Sequence, residues 1–178
     1  MYPSIANWHA KAPLRAEFQM HGDLGVPGFV ERVAARCPGL PDGVLALLVD
    51  GRTCLDHGLL RPAVVLMGVA YESAVEAFAD SLVAKKLLPD QVVAMKAAAR
   101  IGKVKAMIDE LVPATTPMER DRRFATHAAY DFADALRRRR NDASHTAPSY
   151  GFDDREEIEE LLISAGRHLP ALWSVHVD

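Results

Sequence analysis

The chain has 178 residues, 49% hydrophobic and 25% charged, with a formal net charge of −3 and a pI near 6.2. That length suits one domain with a substantial core. The charge balance excludes nucleic-acid binding through global basicity, so any such contact has to rest on a local patch.

Cys37 and Cys54 form no C-x-x-C pair, which fits a reduced, cytoplasmic setting rather than a disulfide framework. Residues 1–11 have no apolar core behind a basic start, so no secretory leader is expected. Residues 1–26 hold Pro3, Pro13, Gly22 and Gly25 with little periodicity, and are expected to form an irregular arm. Residues 27–178 are read as a single helical domain. A short helix is predicted over 29–37, ended by Pro38 and Gly39, and another over 42–57 despite Gly51.

Leu60, Val64, Met67, Tyr71, Ala74, Phe78 and Leu82 then recur at spacings of three and four. They predict a long amphipathic helix from near Pro62. Val65, Leu66, Val69 and Val75 add apolar surface on its other sides, which makes it the central helix. Glu72, Glu76 and Asp80 interrupt the apolar run, so it does not read as a membrane span. Val93, Ala97, Ile101, Val104, Ile108 and Leu111 predict one further helix, closed by Pro113. The stretch "TPME" at 116–119 is a capping box, with Thr116 as N-cap, Pro117 at N1 and Glu119 at N3. Behind it Phe124, Ala128, Phe132, Ala135 and Leu136 are expected on the apolar face of a helix that runs into "RRRRNDASH". Asp153 is the expected cap of a last helix, whose stripe is Ile158, Leu161, Leu162, Ala165, Leu169 and Leu172. Every periodic segment repeats at 3.6 rather than 2. The expectation is therefore an all-α, up-and-down bundle of five or six helices with short loops.

The four arginines are not equivalent. Arg140 lies one turn beyond Leu136 and continues the core-facing stripe, whereas Arg137 and Arg138 rotate outward. A guanidinium on the core side demands an anion or several acceptors. Glu72, Glu76 and Asp80, an acidic stripe on the central helix, are the internal candidates. His145 is five residues further on, about 140° around a regular helix. Either the helix bends near Asn141 and Asp142, or two copies of the segment face each other across a two-fold axis. Arginine and histidine together suit phosphodiester chemistry. The first offers a planar fork to phosphate oxygens and stabilises developing charge. The second moves a proton near neutral pH.

Arg140-Asn141-Asp142-Ala143-Ser144-His145 fits the pattern R-N-x-x-x-H, and with the acidic central helix "GVAYESAVEAF" at 68–78 the chain resembles the HEPN superfamily over roughly residues 40–174. The resemblance implies a helical bundle that dimerises with two motifs in one cleft. It also implies a metal-independent ribonuclease that needs no cofactor, of the kind found in toxin–antitoxin and phage-defence systems. RNA is then the substrate, and a cognate antitoxin or regulatory protein a further partner. Carried over, Arg140 and His145 are the catalytic pair and Asn141 the orienting polar residue. Glu72 is the upstream acid, with Glu76 as the alternative. Asp142 and Ser144 count as supporting members, and Arg137, Arg138 and Arg139 as RNA contacts. The tyrosine that one subfamily carries two residues after the histidine is Ala147 here, and Tyr150 lies too far along to replace it. Silencing by nucleotidylation is therefore not implied. The family also contains inactive members that only bind nucleotides or proteins, which leaves a non-catalytic module as the second reading.

Other constellations carry less. Lys96, Arg100 and Lys103 share a helix face that reads as solvated, though it could guide RNA. His127 and Asp131 form an i, i+4 surface pair. His9, His21, His57, His168 and His176 show no metal-ligand spacing.

Overall fold

The computed structural model describes residues 26–92, 94–145 and 154–173. In chain order the helices are α1 (Val26–Arg36), α2 (Asp42–Asp56), α3 (Leu60–Ala84), α4 (Ala97–Ala106), the single turn α5 (Ile108–Leu111), α6 (Pro117–His145) and α7 (Arg155–Trp173), with a 3-10 turn at Asp90–Val92. No strand occurs among the described residues, so the chain is all-α there. The irregular arm expected over 1–26 lies outside the described residues, apart from Val26, which opens α1.

Helix α3 is the centre of the bundle and packs on α2, α6, α7 and α4. Val64, Met67, Tyr71, Phe78 and Leu82 are buried as their spacing predicts, and Ala70, Val75 and Ala79 bury further faces of the same helix. By length and composition α3 could cross a membrane. Its apolar surface is instead used inside the bundle, where each large side chain removed from water contributes roughly 1.5–3 kcal/mol. Leu48 and Leu55 of α2, Leu136 of α6 and Leu169 of α7 complete the core. Two long-range hydrogen bonds tie it together. The Tyr71 hydroxyl donates to the Ala165 carbonyl of α7, and Trp173 Nε1 donates to the Pro38 carbonyl at 2.8 Å. Burial pushes the Tyr71 hydroxyl well above its ordinary pKa, so it remains a donor. The turns before α2 and α3 use Gly39 and Gly58 at φ of 76° and 71°, the left-handed region that glycine enters without steric cost.

Two expectations change on the structure. The single helix read from Val93 to Leu111 is broken. Lys96 is extended, α4 starts only at Ala97, and at Met107 the chain makes a tighter bond to Val104 (3.0 Å) before α5 begins. Val93 itself is outside the described residues. On α6 the buried residues are Thr126, Ala129, Tyr130, Ala133, Leu136 and Ala143, while Phe124 is 76% exposed and Ala135 is also exposed. The true stripe consists largely of small residues, which carry little hydrophobic signal but let α6 lie close to α3. The cap expected at Asp153 is outside the described residues, and the neighbouring Asp154 carboxylate accepts from the backbone N–H of Glu156 at 2.9 Å and Glu157 at 3.3 Å.

The capping box forms as read. Glu119 accepts from the Thr116 N–H at 2.8 Å, and its own N–H donates to Thr116 Oγ1 at 3.2 Å. Thr115 adds its hydroxyl and its N–H. These bonds, from the Thr115 hydroxyl first and the Thr116 backbone next, hold the exposed Glu119 carboxyl down to about 2. A carboxyl lowered in the folded state stabilises the fold above its unfolded pKa, and that contribution is lost as pH falls from about 4.5 toward 2. Thr116→Ala is expected to lower Tm by about 2–4 °C at neutral pH, and most of the deficit should persist on acidification, because the lost acceptor serves the Glu119 N–H while the carboxylate keeps its bonds from Thr115 and the Thr116 N–H. A variant that melts like wild type at pH 7 would show that the box contributes nothing to stability.

Candidate functional site

The site lies on the seam between α3 and α6. The spacing of Ala129, Ala133, Leu136, Arg140 and Ala143 keeps one face of α6 on α3, so Arg140 enters the seam one turn beyond Leu136. Its Nη2 donates to Glu72 Oε1 in an ion pair, with the two side chains 24% and 17% exposed. Arg140 Nε is buried with no acceptor among the described residues. The alternative acid is committed elsewhere. Glu76 pairs with Arg100 of α4 at 3.1 Å, and Arg100 also donates to the Met95 carbonyl at 3.1 Å. Arg100 is consequently buried, not part of a solvated basic face, while Lys96 and Lys103 are exposed.

Close approach of the helices is what admits the arginine. A Cβ built on Gly68, one turn before Glu72, would stand 2.5 Å from Arg140 Cβ and 2.7 Å from Cγ. The aliphatic stem of Arg140 therefore rests on bare α3 backbone while its head meets Glu72. Sequence reasoning missed this glycine. Its signal was the G-x-x-x-E spacing within an otherwise Ala- and Val-rich helix.

Helix α6 continues unbroken through Asn141 and Asp142 to His145, so no helix end intervenes to swing His145 toward Arg140. Asn141 is half-buried, whereas Asp142, Ser144 and His145 are exposed. Ser144 Oγ donates to the Arg140 carbonyl at 2.8 Å, a bond within the helix. Within one copy the structure thus brings Arg140 and Glu72 together and leaves the His145 ring about 140° away around the helix. Ala147 and Tyr150 lie outside the described residues.

The other three arginines are also paired. Arg137 and Arg138 share Asp134, with Nε–O distances of 2.9 Å and 3.0 Å. Burial raises the Asp134 carboxyl, but the two guanidinium groups outweigh it and hold it below the usual range. Arg139 pairs with Glu157 and links α6 to α7. The run is therefore a set of ion pairs, and Arg138 is its most exposed member at 69%. The expected His127–Asp131 pair is replaced by two contacts to other helices. His127 Nε2 meets Asp109 Oδ1 at 3.1 Å, and Lys105 pairs with Asp131. Among the described residues no group of three His, Cys, Asp or Glu side chains is arranged to hold a metal ion.

The described chain is thus an all-α bundle with a half-buried arginine–glutamate pair in its central seam and an exposed histidine at the end of the same helix. No protein-family model, curated protein or solved structure matches it.

Proposed function

We propose that the chain is a HEPN-type endoribonuclease that acts as a homodimer and needs no metal ion. The observation that carries this reading is the Arg140–Glu72 pair, which fixes a guanidinium at the same end of α6 that presents an exposed His145. In the reaction His145 takes the proton of a ribose 2′-OH. The freed oxygen attacks the adjacent phosphorus, and the bond to the 5′-oxygen breaks. That oxygen then takes up a proton, leaving a 2′,3′-cyclic phosphate and a 5′-OH. Arg140 stabilises the charge on the phosphoryl oxygens. One straight helix does not aim both side chains at one phosphate, so the pair is completed across a two-fold axis, Arg140 of one copy acting with His145 of the other. Asn141, the half-buried residue that follows Arg140, orients the site. Arg137, Arg138 and Arg139 serve RNA only by exchanging a carboxylate for a phosphate, so their contribution to binding is small.

A second reading is a HEPN-type binding module without catalysis, and the same ion pair favours it, because Glu72 already occupies one edge of Arg140. The test is cleavage of a structured RNA in EDTA, with light scattering at micromolar protein. A dimer that yields cyclic-phosphate and 5′-OH ends is the expected result. A monomer that cuts RNA would remove the two-copy site, and a dimer that binds RNA without cutting it would leave the module.

A further inference from the structure

We infer that Gly68 is a positioning residue for the proposed reaction, because the absence of a side chain there sets the Arg140 guanidinium against Glu72. The inference rests on the endoribonuclease reading for its consequence and on geometry for its substance. Gly68 and Glu72 stand one turn apart on α3 and receive, respectively, the stem and the head of one side chain. A Cβ at Gly68 would overlap Arg140 Cβ and Cγ at 2.5 Å and 2.7 Å. Those atoms lie at the base of the side chain, so no distal torsion relieves the contact. Either α6 moves away from α3 or Arg140 swings off Glu72. Gly51, on α2, serves as a control. A Cβ there would meet its neighbours at 3.4 Å and beyond, which is ordinary contact.

The experiment compares Gly68→Ala with wild type and Gly51→Ala, using the full chain. Side-chain NMR reads the Arg140 Nε and Nη resonances, assigned by their loss in Arg140→Lys. In wild type the Glu72 contact slows rotation of the guanidinium and separates its Nη signals. Gly68→Ala is expected to collapse them to the averaged position while the Arg100 signals stay in place. Cleavage should fall about 10²-fold in kcat with KM nearly unchanged, the usual loss when one charge-stabilising donor is misplaced. Gly51→Ala should keep wild-type kcat. If Gly68→Ala does not fold, Gly68→Ala/Arg140→Gly removes the overlapping atoms and should melt no lower than Arg140→Gly alone. Unchanged Arg140 resonances, unchanged kcat in an active protein, or a double variant clearly less stable than Arg140→Gly alone would each overturn the inference. Wild type that cuts no RNA would instead overturn the endoribonuclease reading, and the resonances would still decide the role of Gly68.

Discussion

His145→Ala is expected to lose RNA cleavage by ~10²–10⁴-fold, the usual worth of a positioned general acid or base, while keeping its fold. The two effects separate because the ring is exposed at the end of α6. Exposed substitutions away from packed or capped positions change stability by no more than about 0.5 kcal/mol. The variant should melt with wild type, sediment as wild type, and bind RNA with little change. The decisive measurement is single-turnover cleavage in EDTA at matched binding. Full activity in that variant would remove His145 from the chemistry and, with it, the paired Arg140–His145 mechanism.

Arg140→Ala is expected to affect both properties. Loss of one stabilising donor lowers cleavage by about 10²–10³-fold, and combining it with His145→Ala should make matters hardly worse, since residues that act as a unit are not additive. Stability falls as well, because the substitution strands Glu72 in the α3–α6 seam. Breaking a fully buried pair costs roughly 3–5 kcal/mol, and an exposed pair is worth about 0–1 kcal/mol. With Arg140 at 24% and Glu72 at 17% exposure, the pair falls between these limits, and the expected loss is about 2 kcal/mol. Glu72→Gln placed on top of Arg140→Ala removes the stranded charge and should recover part of that loss while leaving cleavage abolished. An Arg140→Ala protein as stable as wild type would mean that Glu72 is solvated well enough to stand alone.

Much of this was legible from residue order. The helices announced themselves through period, because burial on one side of a helix imposes spacings of three and four on α3 and α7. The start of α6 was readable to the residue, since Thr116, Pro117 and Glu119 act through bonds within one turn. The placement of Arg140 on the core side followed from its distance to Leu136 along the same helix. All of these are local, and local geometry is written in spacing.

What spacing does not carry is which helices meet, at what height and how closely. Spacing alone offers both Glu72 and Glu76 to Arg140, and only the heights at which α4 and α6 meet α3 give Arg100 to Glu76 and Arg140 to Glu72. Phe124 read as core because it is large and apolar, yet α3 accepts the alanine face of α6, where small side chains allow the approach. Gly68 passed without notice because its role is an absence, visible only when the stem of an arginine from a helix far along the chain occupies the space. The sequence by itself thus determined the long helices, the capping box of α6 and the inward turn of Arg140, which depend on torsions and neighbours within one segment. The tertiary structure alone decided the partner of each charge and the close seam at Gly68, because those depend on the distance between segments that residue order leaves open.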